Sequence, residues 1–339
     1  MEKLQPKVAI VILNYNTRSL LEEYLDSVIA TSYVNKEVWV VDNASTDDSV
    51  GYLQQRLADI KLLVTPENYG YAGGYNWALN QIDADYYVLL NSDVRVAENW
   101  LSSLVEMALS DTQIGAIQPK ILDVKDPHKF EYAGASGGFL DKWGYPFCRG
   151  RVFDTLEKDE GQYDESLQVF WATGACMFVK ADVYHKVGAL DEDFFAHMEE
   201  IDLCWRMQRM GYKVMVQPSS EVFHLGGGTL TEGSDRKYFL NFRNNLFLLA
   251  KNHSSSFWWV LILWRMVLDG ISAIKFLVGG QASLFWVIIK AHFAFWGSFG
   301  SVLKKRTEVK QLGNASVHLY PKSIVWQYFG NGKKKYSDL

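Results

Sequence analysis

Val8-Ala-Ile-Val-Ile-Leu13 is a short unbroken apolar run, mostly β-branched, that ends in Asn14, Tyr15 and Asn16. That length and composition predict a strand buried on both faces of a sheet. Residues 18–30 follow with helical spacing, Leu20, Leu21, Leu25, Val28 and Ile29 forming one stripe. The alternation then repeats. Residues 38–41 read as a second strand, and Ser45-Thr46-Asp47-Asp48 caps a helix running to about Leu57. Residues 61–64 read as a third strand, a helix over 75–81 follows a glycine-rich loop, 86–90 form a fourth strand and 98–109 another helix. Strand and helix in turn imply an α/β fold with a mostly parallel, Rossmann-like sheet flanked by helices.

Open sheets of this kind bind ligands at the carboxyl ends of their strands. Asn14 and Asn16 follow the first strand, Asp42 the second, Glu67 and Asn68 the third, and Asn91, Ser92 and Asp93 the fourth. Polar residues also end strands for no chemical reason, but four consecutive ends of this kind favour a site. Beyond it, residues 120–170 lose periodicity and read as loops and short strands. Regularity returns with a strand at 174–179, helices at 182–187 and 199–210, and a last strand at 213–217.

The net charge of −5 hides a division: residues 1–239 hold 21 Lys+Arg against 36 Asp+Glu, and residues 240–339 hold 13 against 3. An acidic front does not suit nucleic acid, which needs a basic face. A basic rear suits an anionic membrane leaflet. The three cysteines (Cys148, Cys176, Cys204) are widely spaced and odd in number, arguing for a reducing compartment. The first residues lack the layout of a secretory signal, so a cytoplasmic start is expected.

Four segments carry candidate chemistry. Asp93, just beyond a buried strand, is rigidly held and suits Mg²⁺ or Mn²⁺ bridging a diphosphate, although a turn carboxylate needs no metal. Asn68-Tyr-Gly-Tyr-Ala-Gly-Gly-Tyr-Asn76 offers Gly70, Gly73 and Gly74 for close backbone approach to phosphate, or simply for tight packing. It matches neither a dinucleotide fingerprint nor a P-loop, which weakens the case for a nicotinamide oxidoreductase. Glu199, Glu200 and Asp202 open a predicted helix, where they can serve the helix dipole or supply a general base. His224 stands before Gly226, Gly227, Gly228 and Thr229; it can be structural or a ligand, and the glycines suit a loop closing over phosphates.

Taken in order, VILNYNT (11–17), VVDNASTD (40–47), ENYGYAGGYN (67–76), LLNSDV (89–94), residues 172–195, EEIDLCWR (199–206) and FHLGGGT (223–229) resemble the family-2 glycosyltransferases with the GT-A fold. Their nearest likeness is to the rhamnosyltransferase branch of bacterial cell-surface polysaccharide synthesis. The resemblance implies a metal-dependent, inverting transfer of a sugar from a nucleotide diphosphate to an acceptor hydroxyl. L-Rhamnose from dTDP-rhamnose is the first expected donor, a UDP-sugar the next, and a saccharide or lipid-linked saccharide the acceptor. It further implies that Asp42 reads the base, that Asn14 and Asn16 line the nucleotide pocket, and that Asn68, Gly70 and Gly73 support the sugar side. Asn91 and Ser92 fall in the same donor-binding set. Asp93 would ligate the metal with His224, and Glu200 or Glu199 would be the base, with Asp202 and Trp171 nearby. Two departures from the family pattern stand out: Asn91 replaces the first Asp of an Asp-x-Asp motif, and Glu199-Glu200 replaces the commoner Glu-Asp. A nucleotidyltransferase or a non-catalytic nucleotide-sugar-binding relative are the alternatives.

The resemblance covers the front, so residues 1–240 are expected to form the catalytic domain and 241–339 a helical, basic appendage. There Phe257-Trp-Trp-Val-Leu-Ile-Leu-Trp264 opens an apolar region interrupted by Arg265, Asp269, Lys275 and Lys290. Its longest charge-free run, 276–289, has 14 residues, fewer than the roughly 17–25 of a spanning helix. Helices lying in the membrane interface are the favoured reading, with a true span or a buried interface as alternatives. The enzyme is thus expected to attach peripherally to the inner face of the cell membrane.

Overall fold

The computed structural model describes residues 5–226 and 234–339. Strand β1 (Val8–Asn14) sits mid-sheet, and its side chains divide between two cores as a period of two requires. Val8, Ile10 and Ile12 share a core with Leu21, Leu25 and Val28 of helix α1 (Arg18–Ile29). Ala9 and Val11 face the opposite core. Strands β2 (Lys36–Asp42), β3 (Lys61–Val64) and β4 (Tyr86–Asn91) run parallel to β1, linked by α2 (Ser49–Gln54) and α3 (Gly70–Leu79). Helix α3 starts five residues before the expected 75. Its glycines continue the helix because α3 presses onto the sheet: a Cβ on Gly74 would lie 2.8 Å from Leu13 Cδ1.

Next come β5 (Val94–Val96), α4 (Trp100–Ser110) and β6 (Ile114–Asp123), two strands with no counterpart in the expectation. An excursion holds β7 (Gly138–Leu140), β8 (Pro146–Cys148), β9 (Arg151–Val152), β10 (Thr155–Leu156) and β11 (Leu167–Gln168). The chain re-enters the main sheet as β12 (Cys176–Lys180), followed by α5 (Ala181–Lys186), α6 (Glu199–Arg209) and β13 (Lys213–His224). The main sheet runs β11-β13-β6-β12-β4-β1-β2-β3, with β5 against β13. It is mixed rather than mostly parallel beyond β4: β12 is antiparallel to both β4 and β6, and β5 and β11 are antiparallel to β13. The excursion leaves β6 and returns to the same end of the sheet, so β12 must run back against its neighbours. β13 extends seven residues past the expected 217 to His224, because its second half pairs with both β6 and β5.

Four helices complete the chain: α7 (Asp235–Asn252), α8 (Trp258–Val278), α9 (Ala282–Gly297) and α10 (Phe299–Leu312). The expected division at 240/241 falls inside α7. The tail folds back onto the excursion, Tyr320 N donating to Leu140 O (2.8 Å) and Ile324 N to Asp141 Oδ2 (2.9 Å). Helix α8 turns the charged pair Arg265 and Asp269 inward, while Lys275 near its end is exposed. Arg265 and Asp269 are buried and paired at 2.8 Å, whereas Leu263, Trp264, Val267, Ile271 and Ile274 are 47–60% exposed. No single helix among the described residues is long and apolar enough to cross a membrane; one bent pair, α9 with α10, passes by length and composition.

Candidate active site

The strand ends are tied to one another. Asn14 Nδ2 donates to Asp42 Oδ2 (2.7 Å) and Ser45 Oγ (3.1 Å), and Ser45 N donates to Asp42 Oδ1 (2.8 Å). Asn16 Oδ1 accepts from Thr46 N (2.7 Å), joining the loops after β1 and β2. Thr17 Oγ1 bridges Asn14 Oδ1 (2.5 Å) and Ser92 Oγ (2.9 Å). Asn43, which sequence reasoning passed over, links the third strand end: its Nδ2 donates to Asn68 Oδ1 (3.1 Å) and its Oδ1 accepts from Tyr69 N (3.1 Å). The arrangement qualifies two expectations. Asn14 and Asp42 are both wholly buried, and each Asp42 oxygen already accepts a hydrogen bond. In this structure they tie the strand ends together, while Asn16 and Asn68 are exposed.

Register brings Asp93 and His224 together. Antiparallel pairing sets His224 opposite Val94, the residue after Asp93. His224 Nε2 lies 3.1 Å from Asp93 Oδ1, and Nδ1 lies 3.3 Å from Glu131 Oε1. All three side chains are buried, yet neither ring nitrogen is aligned for a hydrogen bond. Burial pulls the imidazole down, but Glu131 and Asp93 outweigh it and raise it to about 10. A buried carboxylate oxygen and imidazole nitrogen facing each other at this distance fit a divalent ion chemically once the ion displaces the imidazole's proton. Among the described residues no group of three or more His, Cys, Asp or Glu could hold a metal alone. An ion there needs further oxygen ligands, as Mg²⁺ commonly takes from phosphate. Asn91 is half-buried at the end of β4. Gly227, Gly228 and Thr229, expected in a closing loop, lie outside the described residues.

Glu199 and Glu200 open α6, and one carboxylate oxygen of each is buried without a hydrogen-bond partner. Burial, reinforced by Glu200, holds the Glu199 carboxyl well above the usual range. Burial raises Glu200 to about 7 against the pull of backbone N–H groups at the helix start. The preceding loop is strained: Phe195, His197 and Met198 have φ of 64°, 70° and 74°. Non-glycine residues in that region cost on the order of 1–3 kcal/mol each and persist only where their surroundings enforce them. Gly70 (φ 71°) lies against this loop, where a Cβ would meet Phe195 Cδ2 at 2.7 Å, and Tyr71 N donates to Phe195 O (2.9 Å). A Cβ on Gly73 would meet Tyr69 Cβ at 2.8 Å, so both glycines serve close packing in this structure.

Asp202 parts from the two glutamates. It is fully buried, bonded to Arg206 Nε (2.8 Å), Lys251 Nζ (2.9 Å) and Asn252 Nδ2 (2.7 Å). Asp202, expected among the catalytic acids, is enclosed by these partners in this structure. Lys251 also pairs with Asp191 (2.6 Å), which Lys305 of α10 contacts as well. Burial alone would raise both aspartates; Lys251 with Lys305 holds Asp191 low, and Arg206 with Lys251 holds Asp202 low. That contribution to stability is present above the ordinary carboxylate range and is lost as pH falls through the depressed folded values. Lys251→Met is expected to destabilise the fold by about 3 kcal/mol, the lower end for breaking a buried pair, because Arg206 and Lys305 remain. Urea unfolding at neutral pH checks it; an unchanged midpoint would contradict it. Trp171 is buried, its indole donating to Phe139 O (2.9 Å).

Besides Asn43, the sequence reading missed Glu131 and Asn244. Glu131 sits in the aperiodic stretch, where no spacing signals it. Asn244-Asn245 directly before the apolar stretch 246–250 is a signal, since a buried amide needs partners.

The model of Glycosyl transferase family 2 matches residues 9–188. The N-acetylglucosaminyl-diphospho-decaprenol L-rhamnosyltransferase of Mycobacterium tuberculosis is 27% identical over 284 residues, covering 78% of this chain and 90% of that protein. The O-antigen biosynthesis protein RfbC of Myxococcus xanthus is 27% identical over 65% of this chain, but the match spans only 17% of RfbC. Among solved structures, GalNAc-T7 with UDP, GalNAc and Mn²⁺ aligns with a TM-score of 0.57 at 15% identity, over 74% of this chain and 48% of that one. The mannosyltransferase PcManGT from Pyrobaculum calidifontis, with GDP-Man and Mn²⁺, aligns with a TM-score of 0.53 at 16% identity, over 91% and 86%. At such identities the structural likeness concerns the GT-A fold.

Proposed function

The chain belongs to glycosyl transferase family 2, and we propose that it moves one sugar from a nucleotide diphosphate to a hydroxyl of a lipid-linked saccharide, inverting the anomeric carbon. Two observations carry this reading. Buried Asp93 faces His224 at 3.1 Å, and Glu200, raised to about 7, stands at a helix start.

In this reading the loops bearing Asn16, Asn68 and Asn91 hold the donor, and the Asn14–Asp42–Ser45 bonds keep them in place. Asp93 and His224 would hold Mg²⁺ or Mn²⁺, which would neutralise charge on the departing nucleoside diphosphate. Glu200 accepts the acceptor's hydroxyl proton as that oxygen forms its bond to the anomeric carbon. The bond from that carbon to the diphosphate oxygen breaks, and the nucleoside diphosphate leaves with the electron pair. Glu199, kept protonated, withholds a second negative charge from the base. One displacement without a covalent intermediate inverts the configuration. dTDP-rhamnose is the first donor to test and UDP-sugars the next. The mycobacterial relative's name, which specifies rhamnosyl transfer to a diphospho-polyprenol sugar, supports both this donor and a lipid-linked acceptor. Calorimetric titration of a donor panel with and without Mn²⁺ tests the reading: one nucleotide sugar should bind, and more tightly with metal. Binding of none would overturn it.

A lipid-borne acceptor also accounts for α8. A helix with Arg265 and Asp269 paired inward and Leu263, Trp264, Val267, Ile271 and Ile274 outward is matched to an apolar surrounding. Exposed Lys275 and Lys290 and the basic tail Lys333–Lys335 suit anionic headgroups, so the enzyme lies on the inner leaflet. Replacing Val267 and Ile271 by Glu is expected to weaken sedimentation with anionic vesicles by about tenfold or more, since each apolar side chain contributes about 1.5–3 kcal/mol when buried. Equal sedimentation of variant and wild type would contradict attachment through this face.

A further inference from the structure

We propose that Asn244 is a positioning residue for the base, its side-chain amide holding the loop that presents Glu200; this rests on the assignment of Glu200 as the base. The amide is wholly buried in α7. Its Nδ2 lies 2.9, 2.8 and 2.8 Å from the carbonyl oxygens of Phe194, Ala196 and His197. Two amide hydrogens thus serve three carbonyls, so at least one bond is shared. The orientation of the amide is set from its other end, where Oδ1 accepts from Arg243 Nε (2.9 Å) and Nη2 (2.7 Å). Arg243 Nη2 also reaches the carbonyls of Asp193 (2.9 Å) and Phe194 (3.0 Å).

The carbonyls gathered by Asn244 belong to the stretch where Phe195, His197 and Met198 take left-handed backbone conformations. Met198 directly precedes Glu199 and caps α6, so the loop's path decides where both glutamates stand. A convergent donor is what such a path requires. Three carbonyls pointing at one place repel unless a donor sits between them, and a loop of non-glycine residues relaxes when it is removed. A base displaced by as little as about 1 Å loses on the order of 10²-fold in rate. The segment is pinned on its other side by α10, where Ser301 Oγ (3.0 Å) and Lys305 Nζ (2.6 Å) bind Asp193 Oδ2. Helices α7 and α10 therefore hold the base loop from two sides.

The test uses the full chain with the donor that titration identifies, comparing wild type, Asn244→Ala, Asn244→Ser and Glu200→Gln. Asn244→Ala is expected to lower kcat by about 10–100-fold, with the donor KM changed by less than about twofold. The acid limb of its kcat profile should move away from about 7, because the burial that raises Glu200 changes with the loop. Asn244→Ser, which restores one donor, should recover part of the rate and of the limb. If Asn244→Ala does not fold, the same comparison is made between Asn244→Ser and wild type. A folded variant with unchanged kcat and acid limb overturns the positioning role. So does a fall in kcat that leaves the limb in place or is matched by lost donor binding. Wild-type turnover in Glu200→Gln overturns the base assignment and this inference with it. An inactive Glu200→Gln beside a fully active Asn244→Ala overturns this inference alone.

Discussion

Glu200→Gln is expected to lower kcat by about 10²–10⁴-fold, the range general-base catalysis supplies, while donor affinity stays within about twofold. The amide keeps the size of the side chain and its place at the start of α6 but cannot take a proton. Burial raises this carboxyl to about 7, so it changes state near neutrality. Its ionised form is the active one; wild-type kcat should therefore rise with pH and level off above about 7, at saturating metal and donor. The acid limb should vanish in Glu200→Gln along with the rate. Glu199→Gln provides the internal contrast. Glu199 is held protonated by burial and by its neighbour, so losing its capacity to ionise should cost far less. Steady-state kinetics of both variants across pH decide the matter, and a larger loss in Glu199→Gln would reverse the assignment.

Asp93→Ala should reduce transfer by about 10²–10³-fold, the size of effect seen when one preorganised electrostatic contact to developing charge is removed. It should also weaken Mn²⁺ binding in the presence of nucleoside diphosphate. Among the described residues, Glu131 is the other carboxylate paired with His224, at 3.3 Å, and it approaches the opposite ring nitrogen. The loss should therefore not be repaired by the neighbour. Asn91 makes the expectation sharper. Where the family motif often supplies two aspartates, this chain has one, so a single substitution removes the last carboxylate of that motif. Titration calorimetry with Mn²⁺ and nucleoside diphosphate checks the binding half, and initial rates check the other. Unchanged Mn²⁺ affinity would move the metal away from Asp93.

Much of this was legible before the fold was seen, for a physical reason. β1, β2 and β4 lie largely buried within the parallel part of the sheet, so their composition alone marks them, and the polar residues at their ends follow directly. The meeting of Asp93 with His224 was not legible as geometry. It depends on β13 running on to pair with β5, and strand register leaves no trace in either segment alone. Asp202 looked like its neighbours Glu199 and Glu200 because all three are acids at a helix start. What separates it is Lys251, 49 residues away, and Asn252, 50 away, whose bonds occupy it. Glu131 sits in an excursion without periodicity. The outward apolar face of α8 was hidden for another reason: Arg265 and Asp269 interrupt the run in sequence, and only the fold shows that they point inward as a pair.

The most direct measurement is transfer itself. Purified protein is incubated with dTDP-rhamnose, Mg²⁺ or Mn²⁺ and an N-acetylglucosaminyl-diphospho-polyprenol in anionic vesicles, and the lipid is weighed by mass spectrometry. The expected result is a lipid heavier by one deoxyhexose, formed only with metal and absent with Glu200→Gln or Asp93→Ala; a hexose gained instead from a UDP-sugar would keep the reaction and correct the donor. No sugar gained from any nucleotide donor, with metal and vesicles present, would contradict glycosyl transfer to a lipid-linked saccharide by this chain.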